Sequence, residues 1–568
     1  MHDLVIRGGT LVDGTGGPAR TGDVAIDGAR IAQAGGRAGA ARREIDAAGL
    51  LVTPGWVDVH THYDGQVTWD PYLTPSSWHG VTTVVMGNCG VGFAPAQRDR
   101  HQWLIGLMEG VEDIPGTALA EGIRWEWESF PEYLDAVERM RRAIDVAAQV
   151  PHGAVRAYVM GERGAKNEKP TRDDVAAMAR IVGDAIAAGA LGFSTSRTML
   201  HRAVDGEPVP GTFAGEEELL GIGRALGPRA VFELASDLAP EGAELAWMEK
   251  LSTETGCPVT FACLQNDFDP EQWRRLLRGA ELAAVRGARV VPQVAGRPTG
   301  LLLGLESTFH PFSDHPTYRA ELAPLPLAER VRRMRDPALR ARLLAEQPSA
   351  LLPIGAYIAQ SFHKLFPLGD PPDYEPAPEC SVKAIAERRG RTPHEVAYDM
   401  LLERDGHELL YFPLLNYAQG DFEPIREMLL HPQAVLGLSD GGAHCGIICD
   451  ASMPTYMLTH WARDRRRGER LPLEHVVQLQ TRNTARLFGL DDRGALAPGL
   501  QADLNLIDFE GLRLSAPEMV FDLPARGRRL IQRASGYQAT IARGELIYEK
   551  GEPTGALPGK LIRGPQAA

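Results

Sequence analysis

Lysine is nearly missing from this sequence, with seven residues in 568 against 53 arginines. So lopsided a ratio reads as compositional bias, and it leaves the apolar segments in the middle of the chain without a candidate lysine. Cysteine is sparse as well. Six residues (Cys89, Cys257, Cys263, Cys380, Cys445 and Cys449) over this length exclude a disulfide framework, and each thiol is free to be a small buried hydrophobe or a ligand. Positive charge is not in excess. The formal charge is -14 and the isoelectric point is near 5.7, which removes the electrostatic footprint of a nucleic-acid or anionic-membrane binder. No apolar run is long enough to cross a bilayer. Met1-His2-Asp3 leads directly into alternating strand pattern, without the basic start and apolar core of a signal peptide. Internal repeats and low-complexity tracts are absent too. The expectation is an acidic, soluble, cytoplasmic protein with a small-molecule partner, no nucleic acid and no membrane, and with a homo-oligomer left open.

What is present organises around the stretch from Leu51 to Cys89. A Pro54-Gly55 turn leads into Trp56-Val57-Asp58-Val59-His60-Thr61-His62, an apolar run carrying two imidazoles near its end. Side chains alternate faces along a strand, so Asp58, His60 and His62 project together. Two histidines so placed either sit on a wet edge or aim two nitrogens at one metal ion. At 44% hydrophobic content the chain can bury a large core and holds more than one domain. Both ends read as short alternating strands broken by Gly-rich turns, as in Leu4 to Arg7, Asp23 to Ile26, Ala502 to Ile507 and Glu545 to Tyr548. Residues 1–54 and 491–568 are therefore expected to pair as one small β-sandwich domain.

Residues 55–490 alternate apolar runs with helical stretches. Eight strand-like runs are legible: the histidine-bearing one, Val81 to Met86, Val155 to Met160, Leu191 to Thr195, Ala230 to Leu234, Val259 to Ala262, Val290 to Gln293 and Ala434 to Leu438. A helical stretch is expected around Phe130 to Val146, and another from Thr171 to Ala188 with Thr171 as N-cap. The architecture that fits is α/β, a (β/α)8 TIM-type barrel. Between about 297 and 391 the alternation fails. That stretch reads as an insertion, either capping the barrel mouth or elaborating the surface.

In such a barrel functional groups sit at the C-terminal strand ends. His60 and His62 end the first strand, Cys89 follows the second within Gly87-Asn88-Cys89-Gly90, and Asp440 follows the last within Ser439-Asp440-Gly441. Two imidazoles, a thiolate and a carboxylate form a coherent ligand set for Zn²⁺. Arg197 and Arg297 are candidates to clamp a substrate carboxylate. His201, His444 and His460 are further polar candidates, His444 foremost.

The Pro54 to His62 motif, Gly-Asn-Cys89-Gly, Ser439-Asp440-Gly441 and the segment ending Pro498-Gly499-Leu500-Gln501-Ala502-Asp503-Leu504 resemble the amidohydrolase superfamily, and within it the N-acyl-D-amino-acid deacylase branch, over nearly the whole chain. The resemblance implies a barrel with a small β domain built from both termini. It also implies a zinc site of one or two ions, with His60, His62 and Asp440 at one position and Cys89 standing where other amidohydrolases use a carboxylated lysine. One departure is visible. The family pattern has histidines after the fifth and sixth strands, whereas this chain has Phe232-Glu233-Leu234-Ala235-Ser236-Asp237 and Phe261-Ala262-Cys263 there. Glu233, Asp237 or Cys263 either substitutes as a ligand or lines the pocket.

The expected activity is zinc-dependent hydrolysis of the amide of an N-acyl amino acid, D-configured by the resemblance, with Asp440 as general base and acid. The alternatives are a mononuclear enzyme acting on a cyclic amide, an ester or another small amide, or by a non-hydrolytic step, and a barrel that serves only as a scaffold.

Overall fold

The computed structural model describes residues 1–349 and 353–567. Residues 350–352 and 568, which fall in the anticipated insertion and terminal domain, lie outside the described residues. Eight parallel strands lie side by side in chain order: β1 (Trp56–Thr61), β2 (Val81–Met86), β3 (Asp145–Pro151), β4 (Gly192–Arg197), β5 (Val231–Ser236), β6 (Val259–Ala262), β7 (Val290–Val294) and β8 (Val435–Leu436). Every residue of β1, β2 and β3 is buried, as expected of strands covered on both faces. The outer two strands meet at their C-terminal ends. Asp440 N–H donates to His60 O at 3.1 Å and His62 N–H to Gly441 O at 2.8 Å, with a parallel bridge between Thr61 and Gly441.

One expected strand is corrected. Val155 to Met160 belongs to a helix, His152–Met160, and the third strand lies earlier, at Asp145–Pro151, where a helical stretch was expected to continue to Val146. That helical stretch stops at Arg139. The Ala147-Ala148 pair gives β3 little intrinsic strand character, so burial between its neighbours decides its conformation. By contrast Arg172–Ala188 begins as the sequence indicates. Thr171 Oγ1 accepts from Asp174 N–H at 3.1 Å, the Asp174 carboxylate accepts from Thr171 N–H at 2.8 Å, and Gly189 ends the helix in left-handed conformation.

Both chain ends contribute to one nine-stranded sheet, joined where Leu51–Pro54 runs antiparallel to Leu504–Ile507. The long first strand, His2–Leu11, changes partner along its length. His2 to Arg7 pair with Ala41–Asp46, while Thr10 and Leu11 pair with Leu51 and Val52. Leu4, Ile6, Val24, Ile26, Val52, Leu504 and Ile541 form a core there. The stretch after β7 builds a three-stranded sheet of Gly300–Leu303, Leu410–Pro413 and Phe366–Pro367, and helices such as Leu327–Met334 and Pro393–Leu401 pack on a core of their own. Its return strand therefore lies beyond Arg391. No helix among the described residues is long and apolar enough to cross a membrane.

The two layers are fastened by buried charge at the opposite end of the strands from the metal-ligand candidates. Asp145, which opens β3, accepts from Arg493 at 2.9 Å, from Gln501 at 3.0 Å and from Arg543 at 3.2 Å. Burial pushes the Asp145 carboxyl up, but the charges of Arg493 and Arg543 outweigh that and hold it below its usual range. Removing one partner of a buried pair leaves the other charge uncompensated. Arg493→Met is expected to destabilise the protein by about 3–5 kcal/mol, read as a lowered urea midpoint; a change within about 0.5 kcal/mol would show that the cluster carries no net stability.

Candidate metal centre

His60 is fixed by its own strand and by β7. Its Nδ1–H donates to Gln293 Oε1 at 2.6 Å, a tautomer assigned from that partner, which leaves Nε2 facing the barrel mouth. There Nε2 lies 3.3 Å from Cys89 Sγ and 3.3 Å from Asp440 Oδ1. His62 Nε2 lies 3.6 Å from the same Asp440 oxygen. The donor atoms of His60, His62 and Cys89 all fall within 4.8 Å of one another. Ligand atoms around a tetrahedral ion with bonds of about 2.0–2.3 Å stand roughly 3.3–3.6 Å apart, which the pairs of His60 Nε2 with Cys89 and Asp440 and of His62 Nε2 with Asp440 match.

Cys89 reaches this point because its loop is unusual. The residue itself is left-handed at φ 56°, between Gly87 at φ 83° and Gly90 at φ 71°. A side chain on Gly87 would meet Gln149 O at 2.3 Å, and one on Gly90 would meet Ser196 N at 2.7 Å. Several of the loop's polar groups are bound to the elements around it. Cys89 N–H donates to Glu233 Oε2 at 3.0 Å, Gly90 N–H to Ser194 Oγ at 3.0 Å and Gly87 N–H to Asp64 Oδ2 at 3.1 Å. Asn88 donates to Thr61 O and Val85 O and accepts from Gln149 at 2.8 Å.

Asp440 is left-handed too, at φ 48°, and Ser439 beside it donates its hydroxyl to Asp58. Sequence reasoning missed three members of the cluster, Asp64, Gln293 and Glu112. Glu112 ends the helix His101–Glu112, is 1% exposed, and places Oε1 3.3 Å from His62 Nδ1 and Oε2 3.6 Å from His444 Nε2. No motif marks it, since an acid within an apolar helical run reads as surface. Gln293 carried a faint signal, as a polar residue at the mouth end of an apolar strand.

The electrostatics are those of a site built for positive charge. Burial pushes the Glu233 carboxyl up to about 8 and the Asp58 and Asp64 carboxyls up to about 7, and the Cys89 thiol well above its ordinary value. His60 falls to about 4 through burial, while His62 rises to about 9 because Glu112 and Asp440 outweigh burial. Burial also opposes ionisation of Asp440, but His62, His60 and His444 hold its carboxyl well below the usual range. Both nitrogens of His62, both carboxylate oxygens of Glu112 and Glu233 Oε1 are buried without a hydrogen-bond partner. Orphaned polar atoms this dense cost free energy unless a cation meets them. The set of nitrogen, sulfur and oxygen donors suits a divalent ion of borderline softness such as Zn²⁺.

The other residues singled out from sequence lie as follows. Glu233 is inside, Oε1 lying 3.9 Å from His60 Nδ1. Asp237 instead ties down the loop after β4, accepting from Thr198 at 2.5 Å and Met199 N–H at 3.0 Å. Cys263 is buried, and its thiol is raised to about 12 by burial alone, with no charged neighbour contributing. Arg197 is held by Glu244 at 2.6 and 3.0 Å, and Arg297 by Asp450 at 2.8 and 3.0 Å with Tyr374 stacked under it at 4.1 Å. Neither guanidinium is a free clamp, because each already has its carboxylate. His444, 4.0 Å from Asp440 Oδ2, stands at the mouth, and His201 is held by Ser196 at 3.0 Å. His460 turns away to Glu375 at 3.0 Å.

Residues 43–548 match the model of the amidohydrolase family. The chain is 28% identical to a D-aminoacylase of Alcaligenes xylosoxydans xylosoxydans, over 99% of this chain and 97% of that protein. It is also 28% identical to an N-acyl-D-glutamate deacylase of the same organism, over 99% and 96%. Among solved structures, N-acyl-D-glutamate deacylase from Bordetella bronchiseptica, complexed with zinc and a phosphonate mimic of the tetrahedral intermediate, superposes with a TM-score of 0.64 at 23% identity, over 99% of each chain.

The tight packing of the Cys89 loop can be tested by adding one methyl group. Gly90→Ala is expected to cost about 1–3 kcal/mol for its left-handed backbone and more for the collision with β4. Gly28→Ala, at φ 56° with open space around it, is expected to show the backbone cost alone. Equal losses on chemical denaturation of the two metal-free variants would show that the loop has room to move.

Proposed function

The chain belongs to the amidohydrolase family, and on that premise we propose that it hydrolyses the amide bond of an N-acyl-D-amino acid, using one zinc ion held by His60, His62, Cys89 and Asp440. The observation that carries this reading is the convergence on His60 Nε2, which has Cys89 Sγ and Asp440 Oδ1 each at 3.3 Å, with His62 Nε2 3.6 Å from the same Asp440 oxygen. Two relatives aligned over nearly the whole chain, a D-aminoacylase and an N-acyl-D-glutamate deacylase, support the substrate class.

A divalent cation bound here supplies Lewis acidity, polarising a carbonyl and making water acidic near neutral pH. The chain's own residues do the rest. Asp440 keeps Oδ1 between the two imidazoles, while Oδ2 is turned to the mouth on the side of His444. Held ionised by the histidines around it, Asp440 is in the form a general base needs. It takes a proton from the attacking water and returns it to the leaving nitrogen. Gln293 keeps His60 in the tautomer that presents Nε2.

A second reading is favoured by one specific feature: Glu233 and Cys263 occupy β5 and the end of β6, without a histidine on either. That difference supports a one-cation enzyme acting on another small amide, a cyclic amide or an ester.

Purified protein is expected to carry about one zinc per chain by elemental analysis and to release free amino acid from N-acyl-D-amino acids. Chelation should abolish turnover, and Asp440→Asn should lower kcat by about 10²–10⁴-fold. Unchanged hydrolysis in either case would remove the proposed mechanism. Turnover confined to lactams or esters would establish the second reading instead.

A further inference from the structure

Glu112 combines three features that each cost stability. It is a carboxylate at the C-terminal end of a helix, where the helix dipole disfavours negative charge. It is 1% exposed, and neither of its oxygens has a hydrogen-bond partner. Asp113 follows at φ 50° with its own carboxylate, which accepts from Gly446 N–H at 3.1 Å and Thr308 Oγ1 at 2.7 Å. A residue that breaks several local rules at once, with no structural gain, marks a site where function sets the choice.

What surrounds Glu112 indicates that function. Oε1 stands 3.3 Å from His62 Nδ1, on the side of the ring away from Asp440, and Oε2 stands 3.6 Å from His444 Nε2. Its backbone carbonyl accepts from His444 N–H. Glu112 faces His62 on the same ring nitrogen, Nδ1, by which Gln293 holds His60, at 3.3 Å where Gln293 stands at 2.6 Å. We infer that Glu112 is a positioning residue which fixes the tautomer and ring orientation of His62 toward the cation and clips the Asp440 to His444 loop against the helix His101–Glu112. This rests on the metal reading of the site. Groups that orient a ligating imidazole in this way are worth roughly 10–100-fold in metal affinity.

The test uses the full-length chain stripped of metal and titrated with Co²⁺, whose visible absorption reports ligand geometry. Wild type is expected to bind one Co²⁺ with a defined spectrum. Glu112→Leu should bind about 10–100-fold more weakly with a shifted spectrum, and Glu112→Gln, which keeps an acceptor oxygen, should fall between the two. Thermal unfolding in excess chelator separates orientation from folding, because a merely structural role would lower the melting temperature of metal-free protein and leave the Co²⁺ spectrum as in wild type. If Glu112→Leu binds Co²⁺ with wild-type affinity and spectrum, the inference is overturned while the metal reading stands. If wild type itself binds no Co²⁺ or Zn²⁺, both fall together.

Discussion

Two backbone hydrogen bonds at the mouth set the geometry of everything around them. His62 N–H to Gly441 O and Asp440 N–H to His60 O sew the first strand to the segment that leaves the last. Without that seam the residues that end β1 and those that follow β8 would belong to opposite edges of a curled sheet. With it, Asp440 Oδ1 is placed beside two imidazoles whose positions the strand period has already set. Ser439 reinforces the join by donating to Asp58, two residues before His60 on the same face.

The seam brings together more acid than the barrel interior can hold on its own. Asp58, Asp64, Glu112, Glu233 and Asp440 lie around His60, His62 and the Cys89 thiol, all of them buried or nearly so. In a region this dry, ionised groups that share no counter-charge raise each other's cost, which is why burial drives Glu233 and Cys89 toward their neutral forms. Bonds from the protein satisfy only the backs of these groups. Gln293 holds His60, Cys89 N–H holds Glu233, and Gly87 N–H holds Asp64. Glu233 Oε1, both oxygens of Glu112 and both nitrogens of His62 are left without a hydrogen-bond partner, which keeps them available to a cation.

Much of this was legible in the sequence because it depends on short-range rules. A period of two put Asp58, His60 and His62 on one face, and Cys89 stood just beyond an apolar strand, within Gly87-Asn88-Cys89-Gly90. Other parts depend on tertiary context. β3 carries Ala147-Ala148-Gln149, which has no strand signature, while Val155 to Met160 alternates like a strand and yet follows Pro151 as a helix ended by Gly161 at φ 58°. Arg197 and Arg297 offered the right chemistry for a carboxylate, but only the packed structure shows that Glu244 and Asp450 occupy them. Glu112 gave no local signal, because what makes it matter is the 3.3 Å approach to a histidine 50 positions earlier in the chain.

The segment that carries Asp440 is held from several remote directions. Glu112 and Asp113 bind its far half from the end of a helix, through His444 N–H and Gly446 N–H. The start of the insertion adds Thr308 N–H to Gly446 O at 2.9 Å, and the C-terminal hairpin adds Leu530 N–H to Cys445 O at 2.6 Å. Arg528 of that hairpin then donates to Glu306 O and Thr308 Oγ1, tying the insertion to the terminal segment across the same loop. A left-handed aspartate would relax if its loop were free, since such backbone conformations persist only where the surroundings over-determine them. Here β1, one helix, the insertion and the chain's far end each supply a bond. The carboxylate is consequently held in place by the fold itself, which is the preorganisation that the proposed double role of ligand and proton acceptor requires.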